Sequence, residues 1–167
     1  VARALAGTGV AAVYASPLER ARASAELIAE PHRLPVRLAP AFAEMTFGAW
    51  EGLTRHDIRP RFPDAWEQWR SAPHLCAPLG GETVAKVAER VAAGVAELQQ
   101  AHADQTIVLV SHSIVMRVMV LHALGLGLDR PWTVDAAPGG ITELEYEPDW
   151  ATVHRMNTVS HLDGVAP

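Results

Sequence analysis

A chain of 167 residues that is 49% apolar has enough material to bury a core at the size of one domain. Its 14 Lys and Arg stand against 19 Asp and Glu, a net charge of -5 that disfavours nucleic acid and anionic membranes as partners. The lone Cys76 rules out an internal disulfide, Arg117 interrupts the best apolar run before it reaches membrane-span length, and VARALAGTG lacks the apolar core of a secretory signal, so a cytoplasmic location is expected.

Val1 to Ala6 reads as the end of a helix stopped by Gly7 and Gly9, and Val10 to Ala15 (VAAVYA) as a short buried strand. Ser16-Pro17-Leu18-Glu19 follows as a capping box, with Ser16 accepting from the Glu19 N–H and Pro17 at the first helical position of a helix that runs to about Glu30. Arg20 falls in its first turn, where the helix dipole disfavours a cation unless an anion is bound close by. By itself it reads as readily as a solvated arginine. Val36 to Leu38 is a short strand bounded by prolines. Ala41 to Gly52 (AFAEMTFGAWEG) has no regular period and carries the acids Glu44 and Glu51, the marks of a long connection or a functional loop. Leu53 to Trp69 holds short helical pieces, with Trp66 and Trp69 three apart for packing, and Ser71 to Gly81 is a proline- and glycine-punctuated loop. Cys76 lies in that loop without a nearby histidine-and-acid pair, so it reads as a buried or incidental thiol and not a nucleophile.

Glu82 to Ala101 is an amphipathic helix with Val84, Val87, Val91, Val95 and Leu98 as its apolar stripe and Lys86, Glu89, Arg90 and Glu97 on the wet side. Thr106 to Leu124 then organises the chain. Ile107 to Val110 is apolar on both faces, as suits a central parallel strand; Ser111-His112-Ser113 breaks it; Ile114, Val118, Leu121 and Leu124 resume at helical spacing up to Gly125. His112 therefore sits at the carboxyl end of a strand and just before a helix amino terminus, the edge where open α/β sheets take ligands. A lone histidine there is a polar turn residue. The second strand-to-helix turn, with Arg20, changes the reading, because the two together would hold a phosphate, and Glu44 on its loop could protonate a leaving alkoxide. Ile141 to Tyr146 and Trp150 to Met156 form an antiparallel hairpin at a sheet edge, the candidate surface for a homodimer, and the polar tail from Asn157 to Pro167 crosses the surface. The expected fold is α/β, a three-layer sandwich in a single domain over residues 1–167, its mostly parallel central sheet carrying helices on both faces.

Four segments in order carry a resemblance: YASPLERARASAELIA, EMTFGAWEG, GGET and VLVSHSIVMR. Together they resemble the histidine phosphatase superfamily, whose fold is shared with the phosphoglycerate mutases, in the branch containing small bacterial phosphatases. The resemblance implies that Arg20 binds the phosphate, Glu44 is general acid and then base, His112 stabilises the transferring phosphoryl group, and Ser16 and Ser113 add substrate contacts. It implies a small phosphorylated substrate and no cofactor or metal. Ser113 stands where the family usually has glycine. The family's opening strand ends in arginine-histidine-glycine, whose histidine is the nucleophile, and these residues contain no such triplet. The first βα unit is therefore expected to be missing from this sequence, leaving two inner strands unpaired and the 167 residues inactive alone.

The compact segment from Gly52 to Gly80 favours a phosphomonoesterase over a mutase, with a non-catalytic phosphate-binding module as the reading of another class. A serine hydrolase through Ser111 or Ser113 lacks the glycines of a nucleophile elbow, and no histidine pair stands at metal-ligand spacing with a carboxylate.

Overall fold

The computed structural model describes residues 1–164, so the last three residues of the expected tail lie outside the described residues. In chain order the main elements are α1 (Ala2–Leu5), β1 (Val10–Ala15), α2 (Glu19–Ala29), β2 (Val36–Leu38), α3 (Arg55–Arg61), α4 (Pro63–Ser71), α5 (Val84–Ala101), β3 (Thr106–Val110), α6 (Ser113–Ala123), β4 (Ile141–Tyr146) and β5 (Ala151–Thr158). The three strands β2, β1 and β3 pair in that order and all run parallel, with Val13 opposite Val36 and Val108, and Ala15 opposite Leu38 and Val110.

Strand alternation divides the core between two layers of helix. Val13 and Ala15 of β1, with Val108 and Val110 of β3, pack against Ala25 and Ala29 of α2. On the opposite face Leu109 joins the larger core, where Val84, Val87, Val91 and Val95 of α5 meet Ile114, Val115, Val118 and Met119 of α6. The three-layer α/β arrangement read from the sequence is the one observed.

Two placements differ from expectation. Within the described residues the hairpin of β4 and β5 pairs only with itself and not with the edge of the parallel sheet, while β3 ends that sheet with the open edge expected of an inner strand whose neighbour is missing. A strand apolar on both faces fits this position because α2 covers one face and α5 with α6 the other. The capping box at Ser16 does not form either. α2 begins at Glu19 with Leu18 in the cap position and no side-chain cap, and Glu19 pairs with Arg22 at 2.7 Å. Ser16 Oγ accepts instead from the Leu18 N–H and is drawn away to another partner.

The segment between the loop of Glu44 and α5 folds back as two short helices. Thr54 caps α3 in a reciprocal box with Asp57, and Pro63 opens α4. Trp50 is the hub that holds them, with Phe62, Trp66 and Trp69 rings at 6.4, 6.0 and 5.6 Å, while Trp69 also meets Phe47 at 6.1 Å and Trp132 at 4.8 Å.

Candidate active site

The ends of β1 and β3 lie side by side because their ladder continues one residue beyond β1: the Ser16 N–H donates to the Val110 carbonyl at 2.9 Å. Both chains then turn into helices, which brings Ser16 and His112 into contact. Ser16 is fully buried and His112 is 8% exposed, and His112 Nε2 lies 2.7 Å from Ser16 Oγ. His112 takes the cap position of α6 in extended backbone, so the N–H groups of Ser113 and Ile114 open the helix without intrahelical acceptors.

Glu44 comes to this helix end on the loop that follows β2. Its carboxylate accepts from the Met45 N–H at 3.0 Å. Burial pushes the Glu44 carboxyl above its ordinary range, and the N–H groups of Met45, Ile114 and Ser113 with the charge of Arg20 offset that only in part. A carboxylate thus already faces the amino terminus of α6, the kind of place where an anion is favoured. His112 shifts the other way: burial first, then the charges of Arg20 and Arg90, lower it to about 4, so its ring is neutral at pH 7. Arg20, in the first turn of α2, is exposed and acts on both groups as the nearby cation.

The sequence-derived residues therefore meet as a set. Arg20, Glu44, His112 and the Ser113 N–H converge at the carboxyl ends of the parallel strands. Ser16 is present too, but it is buried behind His112, and its hydroxyl binds the imidazole.

Two residues that fix this arrangement were not among the expected site residues. Arg90, expected on the wet side of α5, is instead turned inward: Nη1 donates to the Ala41 and Ala43 carbonyls at 2.7 and 2.8 Å, and Nη2 to the Glu44 carbonyl at 3.3 Å. Its Nε donates to Glu82 at 3.0 Å, and Glu82 in turn accepts from the Thr46 N–H at 3.0 Å. Burial alone would raise the Glu82 carboxyl; Arg90 and the Thr46 donors outweigh it and hold it lower than usual. The only signal for Arg90 in the sequence is its position between Val87 and Val91 of the apolar stripe. Ser111, at the end of β3, ties the same loop from the other side by donating to the Phe42 carbonyl at 2.7 Å.

Close backbone approach locks the loop ends. The Glu82 N–H donates to the Thr46 carbonyl and the Ala49 N–H to the Leu79 carbonyl, both at 2.9 Å. Gly48 has a φ of +51° and Gly81 would place a Cβ 2.6 Å from the Thr46 carbonyl oxygen, so both positions require glycine.

An α/β layer structure that gathers an arginine, a neutral histidine, a half-buried carboxyl and a helix amino terminus beside the carboxyl ends of its parallel strands has the groups for handling a phosphate-sized anion. The sequence model of the histidine phosphatase superfamily (branch 1) matches residues 1–159, and the chain belongs to that superfamily. It is 30% identical to phosphoserine phosphatase 1 of Hydrogenobacter thermophilus over 150 residues, 90% of this chain and 71% of that protein. It is 27% identical to the adenosylcobalamin/α-ribazole phosphatase of Escherichia coli over 154 residues, 92% of this chain and 76% of that protein. Among solved structures, YhfR of Bacillus stearothermophilus superposes with a TM-score of 0.90 at 28% identity, covering 96% of this chain and 80% of that one.

Proposed function

We propose that these residues form the phosphate-binding and acid half of a phosphomonoesterase that hydrolyses a small phosphorylated metabolite through a phosphohistidine. The observation that carries this reading is the convergence of the Glu44 carboxyl, the Arg20 charge and His112 on the amino terminus of α6. The names of the relatives, phosphatases of phosphoserine and α-ribazole phosphate, support the substrate class.

In this mechanism a histidine nitrogen attacks phosphorus, the ester P–O bond breaks, and Glu44 gives its proton to the leaving alkoxide. Arg20, His112 and the Ser113 N–H hold the phosphoryl oxygens as charge moves onto them. The Glu44 carboxylate then takes a proton from water, which attacks the phosphohistidine and releases inorganic phosphate. A raised Glu44 pKa suits both duties, since the group must be protonated in one step and accept a proton in the next. The 167 residues hold no arginine-histidine-glycine triplet, so the nucleophile of this mechanism comes from outside them, on a strand that pairs with the open edge of β3.

The test uses the complete polypeptide from its source and a panel of phosphomonoesters, with phosphoserine and α-ribazole phosphate included. The expected result is hydrolysis accompanied by an acid-labile, alkali-stable phosphoprotein, with Arg20→Ala and His112→Ala abolishing both. The 167 residues alone are expected to bind phosphate without turnover. Absence of hydrolysis by the complete polypeptide overturns the reading, and dependence on a bisphosphate primer converts it to a mutase.

A further inference from the structure

Ser16 is fully buried and bears a hydroxyl that has two partners among the described residues. Oγ accepts from the Leu18 N–H at 3.2 Å and lies 2.7 Å from His112 Nε2. A hydroxyl has one proton to donate, whereas a backbone N–H can only donate. If Nε2 carried a proton, two donors would converge on Oγ and the hydroxyl's own proton would be buried without an acceptor. If Nε2 is bare, Ser16 donates to it and all three groups are satisfied. The second arrangement is the one a buried site selects.

The other nitrogen of the ring has a different environment. His112 Nδ1 makes no hydrogen bond among the described residues, and it is not one of the buried side-chain atoms closed off without a partner. The residue that carries this open edge stands in the cap position of α6, the helix whose first N–H groups face the Glu44 carboxylate.

We propose that Ser16 is a positioning residue that fixes His112 in the tautomer with its proton on Nδ1, so that Nδ1–H is the donor presented to a bound phosphoryl oxygen. Burial and the nearby arginines keep the ring neutral at pH 7, which makes tautomer choice meaningful there. The arginines supply the charge, and the histidine supplies one directed hydrogen bond. Ser16 thus acts on the reaction only through His112, as a partner that holds an imidazole in one tautomer and one orientation. The tautomer stands on the geometry of Ser16; the acceptor of Nδ1–H rests on the proposed function.

The experiment records two-bond proton–nitrogen correlations of the histidine rings in the 15N-labelled complete polypeptide at pH 7.5. His112 is identified by its loss in His112→Gln. The wild-type protein is expected to give the Nδ1–H pattern. Ser16→Ala shifts it toward the Nε2–H pattern that an unconstrained imidazole favours, and Ser16→Thr, which keeps the hydroxyl, restores it. In turnover, Ser16→Ala is expected to lower kcat by about 10- to 100-fold with a smaller change in KM, and Ser16→Thr to recover most of it. An Nε2–H pattern in the wild-type protein overturns the proposal, and this readout stands even if Ser16→Ala does not fold. Inorganic phosphate is then added: a shift of the Nδ1 resonance supports the donor role. An Nδ1–H ring that does not respond to phosphate leaves the Ser16 assignment intact and overturns the donor role together with the phosphate reading of the site.

Discussion

His112 and Glu44 are displaced in opposite directions from their ordinary titration ranges, and this gives their contributions to stability opposite dependence on pH. The folded protein holds His112 at about 4, below its ordinary 6.5, so as pH falls the unfolded chain takes up the proton first. The stability due to the neutral ring is complete above 6.5 and is lost progressively as pH falls to 4. That difference corresponds to about 3 kcal/mol. Urea unfolding at pH 7.5 and pH 4.5 checks it: His112→Gln is expected to lose less stability between the two than the wild-type protein. For Glu44 the folded value is raised, so its contribution runs the other way and fades as pH rises through that value. Its chemical role is tested by leaving group. In a single turnover, Glu44→Gln should slow release of the alcohol from alkyl phosphates by about 10²- to 10⁴-fold and release of nitrophenolate much less, since nitrophenolate leaves without a proton. Equal losses on both would remove Glu44 as the acid. At this scale the sequence was informative because Arg20 and His112 each follow a strand directly, so topology alone carries them to one edge. Ser16 was misread because its partner, His112, lies 96 residues away, and no local pattern announces that a hydroxyl will leave its own helix.

α5 works as a beam that fixes the loop of Glu44. The apolar stripe was legible from period alone, and Val84, Val87, Val91 and Val95 are buried as it requires. The same period put Arg90 in water, because a helical wheel sees only the helix's own residues and not the carbonyls of Ala41 and Ala43 that arrive from elsewhere. Arg90 and Glu82 are 24% and 22% exposed, so removing one leaves a largely desolvated partner. Arg90→Met is expected to cost about 2 kcal/mol in urea unfolding and to speed amide exchange at Met45 and Thr46. Loss of stability without faster exchange in that loop would mean the arginine only packs. Gly94 makes a second seat for the loop, since a Cβ there would lie 2.7 Å from that of Ala41.

At the scale of the whole molecule, layers and strand directions followed from alternation of helix and strand, and the open edge of β3 from the resemblance, whereas the separation of the β4–β5 hairpin from the parallel sheet did not. Which strands neighbour one another is a long-range matter, and an apolar strand such as TIVLV looks the same at the middle of a sheet as at an edge covered by helices. An edge of this composition is a template for pairing. Amides of β3 that point away from β1 are therefore expected to exchange faster in the 167-residue chain than in the complete polypeptide from its source. Equal rates would mean that nothing pairs with that edge.

The backbone contacts of Thr46 with Glu82 and of Ala49 with Leu79 have a consequence for how such a molecule can change. They bring both ends of the intervening segment together, so α3 and α4 form an excursion tied at its neck. Lengthening a tied loop costs little, about 0.6 kcal/mol for each doubling. The loop of Glu44 is anchored below the neck, by Arg90, and above it Trp69 joins the segment to the rest of the fold through Phe47 and Trp132. The segment is fastened at its neck and by its buried Ile58 and Trp69, so its exposed turns can gain length at little cost while the loop of Glu44 beneath keeps its own anchors.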